Sequence, residues 1–437
     1  MNHLRSSSSL RLRMDTKDRM KVVTDVLYAI PRFTKKPSLE HTKKLLKKLG
    51  VYDTDAKIIH VAGTNGKGSV CNYLQEALLK SGLHVGLFTS PHLVTINERI
   101  RVDGKIIDDD TFLAAYDEVS AVADKTSTFF EYLLAIAMVV YAKFRLDYII
   151  LETGMGGRLD QTNVYTDKAL SVITEIGYDH MQYLGDTLEL IASEKAGIIW
   201  GGDVVYLDKR VEASSVIKKR IEQVHATGYA VDKTAIEIIS IEGGLSFRYR
   251  TIDGQTKIIS SNAVALYQAE NLAITDTAVD VLSRKDSRIV KPKRYDSIWE
   301  GRMEEVAPCI YVDGAHNEDG VDAFVSYVEY VRSRGDDSSN VLFYSNVSDK
   351  DYKAMIRRIC KEHVFDKVYI MQVGKERASD LALLKAEYEK YGYEPVIVES
   401  MDETVRLMKE ESVLHKVYAA GSLYLVGEIK KVLKGLL

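Results

Sequence analysis

Residues 63–69, Gly-Thr-Asn-Gly-Lys-Gly-Ser, form a segment whose residue types suit phosphate binding. Apolar and β-branched residues (57–61) precede it and a helical pattern follows it, so it is predicted to join a strand to a helix. Glycines allow successive N–H groups to converge on phosphate oxygens, a helix start favours anions, and Lys67 can reach terminal phosphates. The spacing differs from the common G-x-x-x-x-G-K-[ST] loop, because Gly68 separates Lys67 from Ser69. The segment predicts a phosphate-binding loop; a glycine-rich turn with a solvated lysine is the alternative.

Two residues could hold the metal ion that a phosphate-binding loop needs. Glu152 ends an apolar strand (148–151), and the ligand-binding residues of parallel sheets lie at the carboxyl ends of the strands. Mg²⁺ prefers oxygen ligands, so Glu152 is a candidate ligand, the alternative being an exposed strand-end carboxylate. His180 follows the predicted strand 170–174 and is a second candidate; a core histidine bonded to a backbone carbonyl is its alternative.

Lys195 and residues 313–317 are two further candidates for chemistry. Asp186-Thr-Leu-Glu189 resembles a capping box with Asp186 as the N-cap, and the helix that it opens carries Lys195 and ends near Gly197. A lysine there normally makes a surface ion pair, but a buried one beside a metal could react with CO₂ to form a carbamate. Residues 313–317, Asp-Gly-Ala-His-Asn, follow a strand and suit contacts to ribose or phosphate; a loop with turn-forming Asp and Asn is the alternative.

Alternating strands and helices must position these residues. Apolar runs alternate with helical patterns, which predicts an α/β fold of parallel sheets with helices on their faces. The strands are expected over 57–61, 83–88, 148–151, 170–174 and 203–207, and, in a second set, over 309–312, 341–344, 367–371, 395–398 and 416–420. The helix after the glycine loop is expected over 69–81, and residues 236–260 are expected to form β-hairpins.

The polar segment 291–297 between the two sets is predicted to be the domain boundary. It separates an N-terminal domain (15–297) from a smaller C-terminal α/β domain (298–437). Residues 1–14 are rich in Ser and Arg and lack an apolar core, so they are expected to be a disordered leader and not a secretory signal.

The composition excludes several classes of protein. The chain has 437 residues, 46% hydrophobic and 28% charged, which excludes wholesale disorder and fibrous architectures. The net charge of −4 argues against nucleic acid as the main partner. The three cysteines are far apart and form no disulfide framework or zinc motif, which fits a reducing compartment. The longest apolar stretch, 132–142, is too short to span a bilayer.

Nine motifs, in this order, resemble those of the folylpolyglutamate synthase and dihydrofolate synthase family within the Mur ligase superfamily. They are HVAGTNGKGSV (60–70), SPHLVTINERIRVDG (90–104), TFFEY (128–132), LETGMGGRLDQTN (151–163), IGYDHMQYLGDTLELIASEKAGI (176–198), NLAIT (271–275), GRMEEV (301–306), VDGAHN (312–317) and AAGSL (419–423). The resemblance implies a P-loop NTPase-like domain with a smaller Rossmann-like domain. It also implies a reaction in which ATP phosphorylates a pterin-linked carboxylate and L-glutamate attacks the resulting acyl phosphate to form an amide.

The resemblance further implies positions for ATP and for Mg²⁺, of which two ions are expected. Ser90 and Glu152 match family Mg²⁺ ligands, and His180 matches a ligand of the second ion. Lys195 stands where the family has a carbamylated lysine, so Lys67, Lys195 and His180 are expected to act in catalysis. The positions that match ATP contacts, or lie in the same motifs, are Thr64, Asn65, Gly66, Lys67, Gly68, Ser69, Asn271, Arg302, Asp313 and His316.

The acceptor end is expected near two motifs. Phe129 and Phe130 can stack on an aromatic ring system, although core packing is the alternative. By resemblance, Thr128, Phe129, Phe130, Glu131, Leu159, Asp160 and Gln161 are expected to bind substrate. Family members that act only on folates often depart from GGRLD (156–160), so this chain is expected also to use dihydropteroate. Residues 31–39 resemble the family's folate-side loop more loosely.

Two other functions stay open at this point. One is a Mur-type amide ligase with a non-folate acceptor, which the GTNGKGS loop and TFFEY disfavour. The other is a nucleotide-binding module without catalysis, which would predict loss of Lys67 or of the metal ligands. The enzyme is expected to be a cytoplasmic monomer whose partners are small molecules: ATP, L-glutamate, and folate or dihydropteroate.

Overall fold

A computed structural model describes residues 14–31, 39–335, 338–348, 350–374 and 379–435. All of the expected leader except Met14 lies outside the described residues, and so do residues 32–38 of the folate-side loop. Among these described residues, two helices come first, α1 (Thr16–Tyr28) and α2 (Leu39–Lys48).

The N-terminal part contains an eight-stranded sheet, whose strands lie in the order β4-β3-β2-β5-β1-β6-β7-β8. Its strands are β1 (Lys57–Ala62), β2 (Val85–Phe88), β3 (Ile100–Val102), β4 (Lys105–Ile106), β5 (Tyr148–Glu152), β6 (Leu170–Ile173), β7 (Asp203–Asp208) and β8 (Thr227–Asp232). Six neighbouring strands of this sheet run parallel to one another, namely β2, β5, β1, β6, β7 and β8. The remaining two, β3 and β4, add an antiparallel edge. The carboxyl ends of the central strands therefore meet at one edge.

Helices cover both faces of this sheet. They are α3 (Lys67–Lys80), α4 (Asp109–Val122), α5 (Phe129–Tyr141), α6 (Met181–Leu184), α7 (Leu188–Ala196) and α8 (Val211–Gln223), with 3₁₀ turns at Ile96–Arg99, Gln161–Val164 and Lys233–Ala235. β1 is buried along almost its whole length, and α5 is apolar on nearly every side, because each lies between other elements. The predicted strands and the glycine-loop helix are confirmed, with ends shifted by one or two residues.

A second, four-stranded sheet lies beside this domain, and a long buried helix packs between the two sheets. Its strands are β9 (Glu237–Ser240), β10 (Ser246–Arg250), β11 (Thr256–Ser261) and β12 (Arg294–Tyr295), and the helix is α9 (Gln268–Ser283). The predicted β-hairpins are confirmed, because β9 pairs with β10 and β10 pairs with β11, both in antiparallel orientation. The segment 291–297 contains β12, which pairs with β11, so part of the expected boundary belongs to this sheet.

The C-terminal part contains a six-stranded sheet in the order β13-β14-β18-β15-β16-β17. Its strands are β13 (Glu304–Ala307), β14 (Ile310–Val312), β15 (Asn340–Tyr344), β16 (Lys367–Met371), β17 (Val396–Val398) and β18 (Lys416–Ala420). Its helices are α10 (Glu318–Ser333), α11 (Tyr352–Lys361), α12 (Leu381–Glu389), α13 (Met401–Glu411) and α14 (Leu423–Leu433). The predicted second α/β unit is confirmed, and within the described ranges no helix is long and apolar enough to cross a membrane.

Candidate active site

The loop after β1 needs glycine at two positions for reasons of space. A Cβ on Gly63 would lie 1.8 Å from Thr174 Oγ1, and one on Gly66 would lie 2.2 Å from Asn271 Oδ1. Gly66 also has φ of 85°, in the left-handed region, and precedes the first residue of α3. The predicted strand–loop–helix context is present, since the loop joins β1 to the N-terminus of α3.

The side chains of the loop divide into inward and outward groups. Thr64 exchanges two hydrogen bonds of 3.0 Å with the backbone of Gly177, and buried Ser69 accepts a bond of 3.3 Å from Gln268. Asn65 reaches across to the C-terminal part and accepts a bond of 3.0 Å from Asn317, the N-cap of α10. Gly68 lies under the indole of Trp299, since a Cβ there would be 2.5 Å from Trp299 Nε1.

Lys67 and Lys195 converge on the loop from different helices. Lys67 Nζ donates to the carbonyls of Gly63 and Thr64, both at 3.0 Å, and Lys195 Nζ donates to the carbonyl of Gly63 at 2.7 Å. Burial, together with the charge of Lys67, lowers the pKa of Lys195 to about 7. The helix of Lys195 begins differently from the expectation: Thr187, not Asp186, is the N-cap, because its hydroxyl accepts from Leu190 N at 3.3 Å.

Glu152 and Ser90 lie side by side because β2 and β5 pair in parallel. Phe88 is opposite Leu151, and Glu152 accepts a 2.9 Å hydrogen bond from Ser90 N. Burial raises the pKa of Glu152, while the positive charge of Lys67 opposes that rise. A nearby cation would therefore stabilise the charged carboxylate.

His180 occupies the N-cap of α6 with φ of 51°. Burial is the main cause that lowers the pKa of His180 to about 4, so the ring is neutral and offers a lone pair. Its neighbour Asp179 is half-buried and forms an ion pair with Lys350 from the C-terminal part. Asp179 Oδ2 also lies 3.9 Å from His316 Nε2, so this acid joins the two parts of the chain.

The C-terminal part closes the site from the opposite side. Buried Asp313 follows β14 and accepts from Tyr267 Oη at 2.6 Å, Met303 N at 2.9 Å and Ala315 N at 2.8 Å. His316 Nδ1 donates to Gly314 O at 2.7 Å, and burial lowers the pKa of His316 to about 4.

A cleft between the two parts contains several of these groups. Its lining is Gly68, Thr89, Ser90, Pro91, Leu93, Glu98, Arg101, Glu152, Trp299, Glu300, Arg302 and Leu423. Glu152 and Ser90 thus face Arg302 across the cleft. Asn271, on α9, lies beside Gly66 and donates to Gln268 Oε1 at 2.9 Å.

Of the residues expected to bind the acceptor, Phe130 lies against the loop that follows Glu152. Phe130 contacts Phe88 at a ring distance of 5.5 Å, and a Cβ on Gly154 would be 2.8 Å from Phe130 Cζ. Phe129 lies 5.5 Å from the guanidinium of Arg99. Both rings are half-buried, Leu159 is exposed and Gln161 is half-buried.

The two acids of this group are directed into the protein. Glu131 forms a capping box with Thr128, accepting from Thr128 N at 2.8 Å, and also accepts from Thr42 Oγ1 at 2.7 Å. Asp160 is buried and accepts from Gly154 N at 2.9 Å and Met155 N at 3.0 Å. These carboxylates therefore hold the loops around the site.

Three contributors were not singled out from the sequence: Trp299, Arg101 and Lys350. Arg101 lies 4.9 Å from the ring of Trp299, and both line the cleft. Lys350 meets Asp179 across 171 residues of chain. The position of Trp299, an aromatic residue just before Gly301-Arg302, was a usable sequence signal. No sequence signal pointed to Arg101 or to Lys350.

Comparisons with known proteins agree with this geometry. A family model for the Mur ligase middle domain matches residues 61–279. A dihydrofolate synthase/folylpolyglutamate synthase of Bacillus subtilis is 34% identical over 92% of this chain and 96% of its own length. A folylpolyglutamate synthase of Lacticaseibacillus casei is 31% identical over 94% of this chain and 97% of its own. A solved folylpolyglutamate synthase of Mycobacterium tuberculosis complexed with ADP has a TM-score of 0.82 at 26% identity, covering 96% of this chain and 99% of that chain.

The two-part fold and the matches to known proteins define an ATP-dependent acid–amino-acid ligase of the Mur type. The sequence relatives narrow the class further. The chain belongs to the folylpolyglutamate synthase and dihydrofolate synthase family, as the nine motifs indicated. A nucleotide-binding module without catalysis is thereby disfavoured, because Lys67, Glu152 and His180 are all present and the charge of Lys67 acts on both of the other two.

Proposed function

We propose that this enzyme uses ATP to join the carboxylate of a pterin-linked acid to the amino nitrogen of L-glutamate. The observation that carries the proposal is that the positive charge of Lys67 acts on both Glu152 and His180, and that Arg302 of the other part acts on Glu152 as well. Relatives that match almost the whole chain are named dihydrofolate synthase/folylpolyglutamate synthase, which supports this substrate class.

The proposed reaction has two steps. The acceptor carboxylate attacks the terminal phosphorus of ATP, the bond to the departing ADP breaks, and an acyl phosphate forms. The amino nitrogen of glutamate then attacks the acyl carbon, and phosphate leaves as the amide forms. Lys67 and the N–H groups at the start of α3 stabilise the charge on the transferring group, while residues 64–69 hold the triphosphate. Asn271, Arg302, Asp313 and His316 are proposed to bind the nucleotide from the C-terminal side.

Glu152, Ser90 and His180 are proposed to hold Mg²⁺. Among the described residues no three His, Cys, Asp or Glu side chains cluster as a complete cage, and Mg²⁺ commonly takes one or two protein ligands with phosphate oxygens and water. The buried Glu152 carboxylate and the neutral His180 ring suit such partial ligation, one for each of two ions. When bound, Mg²⁺ neutralises charge that develops on the phosphates.

Lys195 is proposed to carry a carbamate. Its buried amine lies beside the cationic Lys67, and conversion to a carbamate would replace a like charge by an opposite one. The neutral amine attacks CO₂, a nitrogen–carbon bond forms, and one proton is released. The product would present carboxylate oxygens toward the proposed metal site.

The acceptor is proposed to bind beside Phe129 and Phe130, with Thr128, Leu159 and Gln161 at the edges of that site. We infer that the enzyme takes both dihydropteroate and reduced folates, because GGRLD is intact at 156–160. One relative is named for both activities and another for folylpolyglutamate synthase alone, so the assay must separate them.

The test is a side-by-side assay with ATP, Mg²⁺, glutamate and either dihydropteroate or tetrahydrofolate. Glutamate-dependent phosphate release is expected with both acceptors. Release with tetrahydrofolate alone would restrict the enzyme to polyglutamylation. Absence of release with both would overturn the proposal and favour a Mur-type ligase with another acceptor.

We also propose that the enzyme works as a monomer in the cytoplasm on small-molecule partners. Both parts of the cleft come from one chain, so one copy supplies every proposed site residue. Light scattering at assay concentration should give a mass near 49.1 kDa.

A further inference from the structure

The loop from Thr153 to Asn163 touches three parts of the proposed site at once. It starts directly after Glu152, and Gly154 lies against the ring of Phe130. Arg158 N donates to Glu194 O at 2.7 Å, at the end of the helix that carries Lys195. A Cβ on Gly157 would be 2.9 Å from Lys195 O, so the loop and that helix are in tight contact. A shift of the loop would therefore move the metal ligand, the stacking ring and the lysine together.

Asp160 holds this loop from the inside. Its Oδ2 accepts from Gly154 N and Met155 N, and its Oδ1 accepts from the amide and the hydroxyl of Thr162. Four donors thus surround a side chain that is 5% exposed. A carboxylate with this many internal donors has little acceptor capacity left for a ligand.

Behind Asp160, a chain of hydrogen bonds runs from His60 through Thr162 to Asp160, and we call this chain the relay. The single hydroxyl hydrogen of Thr162 points to Asp160, so Thr162 Oγ1 must accept from His60 Nε2, which lies 2.7 Å away. Nε2 therefore carries the hydrogen, and Nδ1 has no hydrogen-bond partner among the described residues. Burial lowers the pKa of His60 well below its usual value, which keeps the ring neutral in this role.

We propose that Asp160 is a positioning residue that fixes the 153–163 loop relative to Glu152, Phe130 and the helix of Lys195. Asp160 is itself held by Thr162, and Thr162 is held by His60. The inference rests on the proposed function, because its readout is turnover of the pterin-linked acceptors. It differs from a direct contact between Asp160 and the acceptor, which would affect one acceptor's binding and would not involve Thr162 or His60.

The test compares Thr162→Val, Thr162→Ser and Asp160→Asn in the full-length enzyme with both acceptors. Thr162→Val keeps the shape but removes the relay hydroxyl, and it should lower kcat by about tenfold with either acceptor. Thr162→Ser keeps the hydroxyl and should stay within about twofold of the wild type. Asp160→Asn places an amide donor against backbone donors and should lower kcat at least as much. The double variant Thr162→Val/Asp160→Asn should fall no further than Asp160→Asn, because both act through one relay.

Two other outcomes of this test would overturn the inference. A higher KM for one acceptor in Asp160→Asn, with Thr162→Val unchanged, would overturn the inference in favour of direct contact. A double variant whose kcat falls by the product of the two single effects would also overturn the inference, because the two residues would then act independently. If a variant does not fold, His60→Leu and His60→Gln give the second comparison: only the leucine, which lacks a donor, should lower kcat. Failure of the wild type to turn over either acceptor would instead refute the proposed function.

Discussion

Lys67 and Lys195 donate to the same backbone oxygen, the carbonyl of Gly63, at 3.0 and 2.7 Å. Two ammonium groups that share one acceptor repel each other, and Lys195 is the more buried of the two. Lys67 is the cation that we propose for the triphosphate, and the lowered pKa of Lys195, about 7, makes Lys195 the residue whose charge can change.

Replacement of Lys195 by alanine tests the proposed carbamate. We expect kcat to fall by about 10²-fold or more, because a negative group beside the metal site is lost. Short carboxylates such as formate should restore part of the activity, since they can occupy the space of the carbamate. Lys67→Ala is the control, and there formate should have no effect. Wild-type enzyme with ¹³C-bicarbonate should show a carbamate signal by NMR, and its absence in active enzyme would count against the assignment.

The pH dependence follows from the lowered pKa of Lys195, about 7. Below this pH the amine is protonated and cannot attack CO₂; above it, the neutral amine predominates. Activity at limiting bicarbonate should therefore fall as the pH decreases through about 7 and be retained above it. The formate-restored Lys195→Ala enzyme should lack this step. A step that persists in that variant would assign the titration to another group.

Gly66→Ala should impair nucleotide binding. The new Cβ would lie 2.2 Å from Asn271 Oδ1, at a φ of 85°. We expect the KM for ATP to rise about tenfold or more, equivalent to about 1.4 kcal/mol. Gly243→Ala is the matched control, with φ of 67° and nothing within 4 Å. It should share the backbone strain but leave the KM for ATP unchanged; equal effects on KM would remove the steric explanation.

The ion pair between Arg210 and Asp319 should support closure of the cleft. Arg210 Nη1 lies 3.1 Å from Asp319 Oδ2, and Asp319 lies directly against Gly177, which is hydrogen-bonded to Thr64 of the 63–69 loop. Because the pair joins the two parts, Arg210→Asp should raise the KM for ATP several-fold. The double variant Arg210→Asp/Asp319→Arg should recover part of the loss. No recovery, with both proteins folded by circular dichroism, would show that the pair does not act as a unit.

Local chemistry was predictable from the sequence, and long-range contacts were not. The loop at 63–69 and the carboxylate at the end of β5 follow from strand and helix patterns that span a few residues. The inward direction of Asp160 depends on Thr162 and on His60, about a hundred residues away in sequence. The meeting of Asp179 with Lys350 depends on how two α/β units sit together, which no local periodicity encodes. The N-cap at Thr187 was missed because Asp186 has the same capping chemistry one residue earlier.

The most direct test of the central claim is a crystal structure of the enzyme with Mg²⁺ and a non-hydrolysable ATP analogue. The triphosphate is expected to lie against residues 63–69, with Lys67 Nζ on the terminal phosphate and with Glu152 and His180 as ligands of Mg²⁺. The nucleoside should lie toward Asn271 and Asp313. A triphosphate bound anywhere other than against the loop containing Lys67 would contradict the account.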